Sequence, residues 1–456
     1  MTTVGCISLG CPKNRLDSEI MLGLLEQAGY TIVPEDEADI LLVNTCGFIQ
    51  EAKEEAIQTT LEAAEYKEHG ACRLLIMAGC FSQRYVYDLA GELPEVDCFI
   101  GLDDVPNIVE ICRQLEQQQA KRIARQVARA TPSTYLYDHT LPRFRFGPRH
   151  TAYVKISEGC RYRCSFCAIP LMRGRLRSRP MESIVEEVNM LGDQGTQELV
   201  LIAQDTTSYG SERTGQSQIV PLLKRLAGLN AVPWIRLMYA YPTNFDRNLM
   251  RLIATTDSIC RYIDLPLQHI DNRILKAMRR SVTEAQTWKL LEQLRIEIPN
   301  LTLRTSLIVG FPGETDEAFQ KLECFVREVE FDRLGVFTYS HEEGTAAYEL
   351  PDLVPAEIAE ERRQRLMAIQ EEIALKKNQT LVGTVQTVLV DGVSEETELL
   401  LEARTEGQAP DIDGVVYINE GNTEHGVFER VLITEAFSHD LVGRVLENDD
   451  VESHIF

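Results

Sequence analysis

Through the first hundred residues, short apolar runs alternate with longer stretches in which apolar side chains return every third or fourth position. Residues 4–9, 40–43, 74–78 and 98–100 are continuous enough to be strands buried on both faces. Residues 16–28 and 51–66 carry helical spacing, and crossover helices of that kind join parallel strands. An open parallel α/β sheet is therefore expected for residues 1–116. The alternation begins again after a break, with strands expected at 152–156, 199–203, 235–239, 262–265, 303–309 and 335–338. Six β/α units of this kind predict a partial (β/α)6 barrel over residues 149–377, closed off by a charged helix at 356–377. Beyond it, short strands at 384–390, 414–418 and 430–433, separated by Gly, Asp and Asn turns, predict a small OB-like β-barrel over residues 378–447. Residues 117–148, with three glutamines at 117–119 and a basic stretch at 121–129, have no periodicity and suit a linker. Residues 448–456 form an acidic tail.

Length and charge narrow the class of protein. A chain of 456 residues exceeds the roughly 250–300 at which one core stops growing, so several domains are expected. No apolar run approaches the ~20 residues of a membrane span, and Met1-Thr2-Thr3-Val4-Gly5-Cys6 is not a basic start leading into an apolar core. A cytoplasmic, reducing compartment is expected, in which twelve cysteines point to metal sites or catalysis before disulfides. The net charge of -24 makes nucleic acid an unfavourable partner, because that affinity rests on Lys and Arg displacing phosphate counterions. Residues 378–456 hold seventeen Asp or Glu against three Arg and no Lys, a net charge of -14. That terminal barrel would repel transfer RNA and attract a basic protein; the plain alternative is a solvated face.

The placement of the cysteines carries the chemistry. Cys160-Arg161-Tyr162-Arg163-Cys164-Ser165-Phe166-Cys167 puts three thiols directly after the first strand of the second domain. Three thiolates hold three corners of a cubane iron-sulfur cluster. The open iron can be chelated by the amino and carboxylate groups of S-adenosylmethionine, beside an electron donor able to break its carbon-sulfur bond. A zinc site with a distant ligand, or a group of buried thiols, would use the same residues. Cys11, Cys46 and Cys80 each follow a predicted strand. The carboxyl ends of parallel strands share one edge, so these three can converge on a second site, or else be ordinary core thiols. Cys6, Cys72, Cys98, Cys112, Cys260 and Cys324 lack such placement and are expected in the core. Gly310-Phe311-Pro312-Gly313-Glu314 comes after the fifth strand of the second domain, where its glycines let backbone approach a ligand or simply make a tight turn.

The cysteine triad at 160–167 resembles the signature of the radical S-adenosylmethionine superfamily. Together with Leu9-Gly10-Cys11-Pro12-Lys13-Asn14, Asn44-Thr45-Cys46-Gly47-Phe48-Ile49, Ala78-Gly79-Cys80, Arg173-Gly174-Arg175-Leu176-Arg177-Ser178-Arg179 and Pro266-Leu267-Gln268-His269, it makes the whole chain resemble the methylthiotransferases. Its last domain is similar to their TRAM barrel. The resemblance implies two 4Fe-4S clusters, one on Cys11, Cys46 and Cys80 and one on Cys160, Cys164 and Cys167, with S-adenosylmethionine as cofactor. It implies further that Phe166 packs near the adenine, that Gln204 meets the methionine end, and that Gly310, Pro312 and Gly313 contact the cofactor at the fifth strand. Gln204 and its neighbour Asp205 would serve equally as strand-end caps.

One branch of that family modifies adenosine in transfer RNA, another the β-carbon of an aspartate in small-subunit ribosomal protein twelve. Cys11-Pro12-Lys13-Asn14, Ser157-Glu158-Gly159-Cys160, Cys167-Ala168-Ile169-Pro170 and Phe337-Thr338-Tyr339-Ser340-His341-Glu342-Glu343-Gly344-Thr345 resemble the ribosomal branch more closely. The implied reaction uses two molecules of S-adenosylmethionine. One methylates a sulfur held at the first cluster; the other yields a 5'-deoxyadenosyl radical that takes hydrogen from the aspartate β-carbon, to which methylsulfide is joined. An external electron donor and a sulfur source are implied as partners. Two alternatives stand beside this. A transfer-RNA adenosine methylthiotransferase would need a basic face built from residues 121–129 and 143–179, and a non-catalytic ribosome-binding factor would hold structural zinc at the cysteines. Residues Arg173 to Arg179 are expected to pair with the cofactor carboxylate or substrate, or to form a solvated basic loop. His269 is expected to be structural.

Overall fold

The structure, a computed structural model, describes residues 1–117, 132–394 and 397–446. The basic stretch at 121–129 and the acidic tail at 448–456 lie outside the described residues. No helix among the described residues is long and apolar enough to cross a membrane.

In the N-terminal part, β1 (Thr3–Ser8), β2 (Thr31–Ile32), β3 (Ile40–Thr45), β4 (Leu74–Gly79) and β5 (Cys98–Phe99) form one parallel sheet in the order β2-β1-β3-β4-β5. Every residue of β3 is buried because helices cover both faces. Ile40, Leu42, Ile76 and Ala78 pack with Leu16, Ile20 and Leu25 of the helix Pro12–Gln27. The alternate residues Leu41, Val43, Leu75 and Met77 pack with Ala56, Ala63 and Val86 on the opposite side. The two-residue period of a strand thus separates two cores.

The central part contains β6 (Thr151–Lys155), a two-stranded antiparallel hairpin of β7 (Ser157–Glu158) and β8 (Arg177–Ser178), and then β9 (Glu198–Ile202), β10 (Trp234–Leu237), β11 (Ile259–Asp264), β12 (Thr302–Val309) and β13 (Arg333–Thr338). Apart from the hairpin, these make a six-stranded sheet in the order β13-β12-β11-β10-β9-β6, parallel throughout. This is the expected run of six β/α units. Leu199, Leu201, Ile235 and Ile263 face the outer helices. On the other face, Tyr153, Val200, Ile202 and Tyr262 meet Leu389 and Ala409 of the last domain.

After the long helix Ala356–Gln379, strands β14 (Val385–Val393), β15 (Leu401–Thr405), β16 (Val416–Glu420), β17 (Phe428–Ala436) and β18 (Leu441–Val445) close into a barrel in the order β14-β15-β16-β18-β17. Three of these were foreseen. β15 and β18 were not: each is five residues long, and Glu402, Arg404 and Thr405 in the one and Gly443 and Arg444 in the other leave few apolar positions. Arg404 is buried nonetheless: it meets Glu198 at 2.6 Å and Asp391 at 2.6 Å.

Residues 132–148 carry neither helix nor strand, yet they fill the seam between the first two domains. Tyr137 is buried in the N-terminal core, and Arg143 joins Glu19 and Glu187, each at 2.6 Å. One expectation about the thiols needs correction. Cys72, Cys98, Cys112 and Cys260 are buried and Cys6 is half-buried, but Cys324 is exposed. On the helix Asp316–Val329, Phe319, Leu322, Phe325 and Val326 take the inner stripe, which leaves position 324 facing water.

Candidate active site

Strands β1, β3 and β4 are neighbours, so the segments leaving their carboxyl ends must meet. Cys11 is the N-cap of the helix Pro12–Gln27, Cys46 comes directly after β3, and Cys80 opens the helix Cys80–Glu92. The positive helix ends favour thiolates. Gly10, at φ 85°, passes so close that a Cβ there would stand 3.2 Å from the Cys46 sulfur, which explains the glycine before Cys11. Burial, followed by the neighbouring Cys80 and Cys11, pushes the Cys46 thiol up to about 12. Burial also raises Cys80, and the Arg173 guanidinium opposes it, leaving the thiol at about 11. The three sulfurs therefore share one electrostatic environment.

The second triad lies after β7. Ser165 donates from its backbone N–H to Met278 O at 3.0 Å and accepts at its carbonyl from Ala347 N–H at 2.7 Å, fixing the loop from both sides. Burial pushes Cys160 up to about 12 and Cys167 higher still, while Arg280 Nη1 stands 3.8 Å from the Cys164 sulfur. All six cysteines are free thiols. Each triad thus offers three thiols with a guanidinium at hand to offset thiolate charge, the donor chemistry of an iron-sulfur cluster. Among the described residues, no three His, Cys, Asp or Glu side chains come close enough together to hold a single metal ion.

Of the residues expected around the cofactor, Phe166 packs against Ile274, Met278 and Phe311. Gln204 donates to Glu158 Oε1 at 2.6 Å, and its own carbonyl oxygen is buried without a partner. That orphaned acceptor suits the ammonium end of a ligand such as S-adenosylmethionine. Asp205, by contrast, caps its own turn, accepting from Thr207 Oγ1 at 2.6 Å and from Ser208 Oγ. Gly310 has φ 73°, and a Cβ there would lie 2.4 Å from that of Ala359; its freedom serves the close approach of the long helix. Pro312 is buried and Gly313 exposed in the same turn. Glu314 accepts from Gly310 N–H, from Arg362 at 2.9 Å and from His269 Nε2 at 3.2 Å. Asp271 N–H donates to His269 Nδ1 at 2.9 Å, so His269 carries its proton on Nε2 and holds the turn together.

Between the triads runs a buried ionic chain that local sequence did not disclose. Arg173 Nε donates to the Cys80 sulfur at 3.3 Å, Nη1 to Glu158 at 2.9 Å, and Nη2 to Asn14 at 2.6 Å and Asp17 at 3.0 Å. Lys155 reaches Asp17 and Glu158, each at 2.7 Å. Burial would raise Glu158, but Arg173 and then Lys155 outweigh it and hold the carboxyl at about 2. Cys80, Arg173, Glu158 and Gln204 thus form a continuous path between the domains. The only hint in the sequence was position: Asn14 lies three residues after Cys11, and Glu158 two before Cys160.

The same contacts correct the picture of a solvated basic loop. Arg173 is 2% and Arg179 0% exposed, and Arg179 pairs with Glu187 at 2.5 Å. With Arg143 also committed, these three cannot build the basic face that a transfer-RNA enzyme would need. Glu342, within the motif at 337–345, is likewise turned inward to Lys53 at 3.0 Å and Arg84 at 2.6 Å of the N-terminal domain.

Comparison with known proteins gives three family matches along the chain. Residues 3–101 match the uncharacterized protein family UPF0004, residues 154–325 the radical SAM superfamily, and residues 382–446 the TRAM domain. The ribosomal protein uS12 methylthiotransferase RimO of Geotalea uraniireducens is 48% identical over 444 residues, 97% of this chain and 98% of the relative. That of Syntrophotalea carbinolica is 49% identical over 448 residues, 98% and 97% respectively. Among solved structures, the radical S-adenosylmethionine methyltransferase TsrM of Kitasatospora setae is similar with a TM-score of 0.53 at 16% identity, over 74% of this chain and 72% of that one. This is a likeness of fold alone. Near-complete coverage by relatives of such identity, with all three matches in the expected order, places the chain in the family of ribosomal protein uS12 methylthiotransferases.

Proposed function

We propose that this chain is a cytoplasmic enzyme that adds a methylthio group to the β-carbon of an aspartate in ribosomal protein uS12. It would use two molecules of S-adenosylmethionine and two 4Fe-4S clusters, held by Cys11, Cys46 and Cys80 and by Cys160, Cys164 and Cys167. The observation that carries this reading is the pair of three-thiol sites, with Arg173 tying Cys80 of the first to Glu158, two residues before Cys160 of the second, and with an unpartnered acceptor on Gln204 against that same Glu158. When bound, the clusters and S-adenosylmethionine supply the radical and sulfur chemistry that no protein acid or base can perform on an unactivated C–H bond.

The chain's own residues hold and tune that chemistry. Arg173 and Arg280 offset thiolate charge on Cys80 and Cys164. Gln204 offers its free oxygen to the cofactor ammonium, with Phe166 packed toward the adenine and Gly310, Pro312 and Gly313 at the end of β12. The buried pairs of Asp17, Lys155, Glu158 and Arg173 exclude water from the ground between the triads, which protects a radical from quenching. Electrons and sulfur come from external donors.

The test is anaerobic reconstitution with iron and sulfide, then incubation with S-adenosylmethionine, a reductant and either uS12 or transfer RNA. A mass gain on uS12 of one methylthio group less one hydrogen supports the reading. The same gain on transfer RNA alone refutes the substrate, and absence of cofactor cleavage by iron-loaded protein refutes the radical mechanism.

A further inference from the structure

The loop after β13, residues 340–348, reaches both thiol sites. At one end Glu342, 1% exposed, accepts from Lys53 Nζ at 3.0 Å, from Arg84 Nη1 at 2.6 Å and from Ser340 Oγ at 2.7 Å. Lys53 lies in the first turn of the helix Gln50–His69, whose Gln50 N–H donates to Ser340 Oγ at 3.1 Å. Arg84 lies one turn after Cys80 and donates also to Gly47 O at 3.1 Å and to Glu343 O at 2.6 Å. One guanidinium therefore joins the residue after Cys46, the helix opened by Cys80 and the loop. Five residues beyond Glu342, Ala347 N–H donates to Ser165 O at 2.7 Å, between Cys164 and Cys167. Thr345 stiffens the span, donating to Glu342 O from its N–H at 3.2 Å and from Oγ1 at 2.7 Å.

Arg173 is a second tie between the domains, and it grips a different face. Its partners Asn14 and Asp17 belong to the helix Pro12–Gln27, which covers one side of the N-terminal sheet. Lys53 and Arg84 belong to the two helices on the opposite side. A sheet held on one side only can rock about that contact; held on both, it cannot.

We infer that Glu342 is a positioning residue: through Lys53 and Arg84 it fixes the distance and angle between the two thiol sites, so that the two halves of the reaction meet. This rests on the proposed reading of two clusters and a uS12 substrate. Glu342 acts at a distance from the chemistry, where a misplacement of about 1 Å costs about a hundredfold in rate.

The experiment compares wild type, Glu342→Gln and Glu342→Asp after anaerobic reconstitution, with iron at both sites verified. It reads the distance between the reduced clusters from their dipolar coupling in electron paramagnetic resonance, and the moles of S-adenosylmethionine cleaved per methylthio group on uS12. Glu342→Gln should keep its iron and its cofactor cleavage, show a longer or broader distance distribution, and raise the ratio of cleavage to product about ten- to a hundredfold. Glu342→Asp, which keeps the charge, should fall between. Lys53→Met leaves the pair with Arg84 in place and serves where Glu342→Gln does not fold; it should raise the ratio by about tenfold or less. A residue that only holds the fold together would lower the melting temperature and move neither quantity, so unchanged distance and ratio in a folded variant overturn the inference, as does loss of iron from either site. A wild type that holds two clusters yet never modifies uS12 refutes the proposed substrate, while the distance measurement still decides the role of Glu342. A wild type that holds only one cluster refutes both, because the inference needs two sites to align.

Discussion

Replacing Arg173 by glutamine tests the junction between the domains most directly. In the native chain two cations, Arg173 and Lys155, share two carboxylates, Asp17 and Glu158, all buried. Arg173→Gln leaves Lys155 alone against both acids and removes the N–H that faces the Cys80 sulfur. Breaking a buried ion pair by deleting one partner costs about 3–5 kcal/mol. The thiol at Cys80, already at about 11 with the guanidinium beside it, becomes harder to ionise, and metal binding requires the thiolate. Loss of an outer partner of this type typically lowers metal affinity by about 10–100-fold. The assay is iron and acid-labile sulfide per chain after anaerobic reconstitution, then the rate of bleaching under a chelator. Arg173→Gln should lose iron from the Cys11, Cys46 and Cys80 site first and keep the other. Arg173→Lys should fall between, because an ammonium is a point charge without the fork that reaches four partners. Wild-type melting together with wild-type chelator resistance in Arg173→Gln would refute the reasoning.

Cys11→Ala and Cys160→Ala should each lower bound iron to about half of the wild-type content, as two 4Fe-4S clusters require, while Cys324→Ser should leave it unchanged; loss of all iron in both alanine variants would argue for one shared site. Glu198→Gln leaves Arg236 and Arg404, each 2.6 Å from the fully buried carboxylate, short of their shared anion; it should weaken barrel docking by about 3–5 kcal/mol, read as faster proteolysis near residues 380–384. Burial would raise Glu158, but Arg173 and Lys155 outweigh it and hold the carboxyl at about 2, against an ordinary 4.5; against the same effect of burial, Glu187 and Glu198 are held low by their arginines, and Asp391 by its hydrogen bonds with His150 and Arg404. Since a depressed carboxyl stabilises the fold above its ordinary pKa and loses that contribution as pH falls toward the folded value, near-UV circular dichroism should be flat above about pH 5 and decline between about pH 4.5 and 2.

Much of the architecture was legible because the physics behind it is local. A strand covered on both faces must be continuously apolar, as Ile40 to Val43 are, and a helix over a sheet must repeat every three to four residues. Cys160, Cys164 and Cys167 declare themselves by spacing. Cys11, Cys46 and Cys80 do so less directly: each sits behind a strand, and parallel strands bring those ends to one edge. What escaped was set by distant partners. Arg404 alternates with Leu401 and Ala403 as an outer polar position would, yet Glu198, 206 positions away, draws it inside. Cys324 depended on which stripe of its helix faced inward, and residues 132–148 were aperiodic yet packed, because Tyr137 and Arg143 answer to Glu187 and Glu19.

Hydrophobic period and cysteine placement, read from the chain alone, carried the fold class and the order of its parts and singled out two candidate thiol triads, while the motifs around them carried the resemblance to one branch of the family. The tertiary structure alone decided that Arg173 and Arg179 are buried struts and not a basic surface, and that Glu342 is turned inward to Lys53 and Arg84. The difference has one cause. Burial of apolar side chains obeys a repeat that neighbours in sequence can display, whereas a charge in a low-dielectric interior is decided by whichever opposite charge the fold brings within about 3 Å of it.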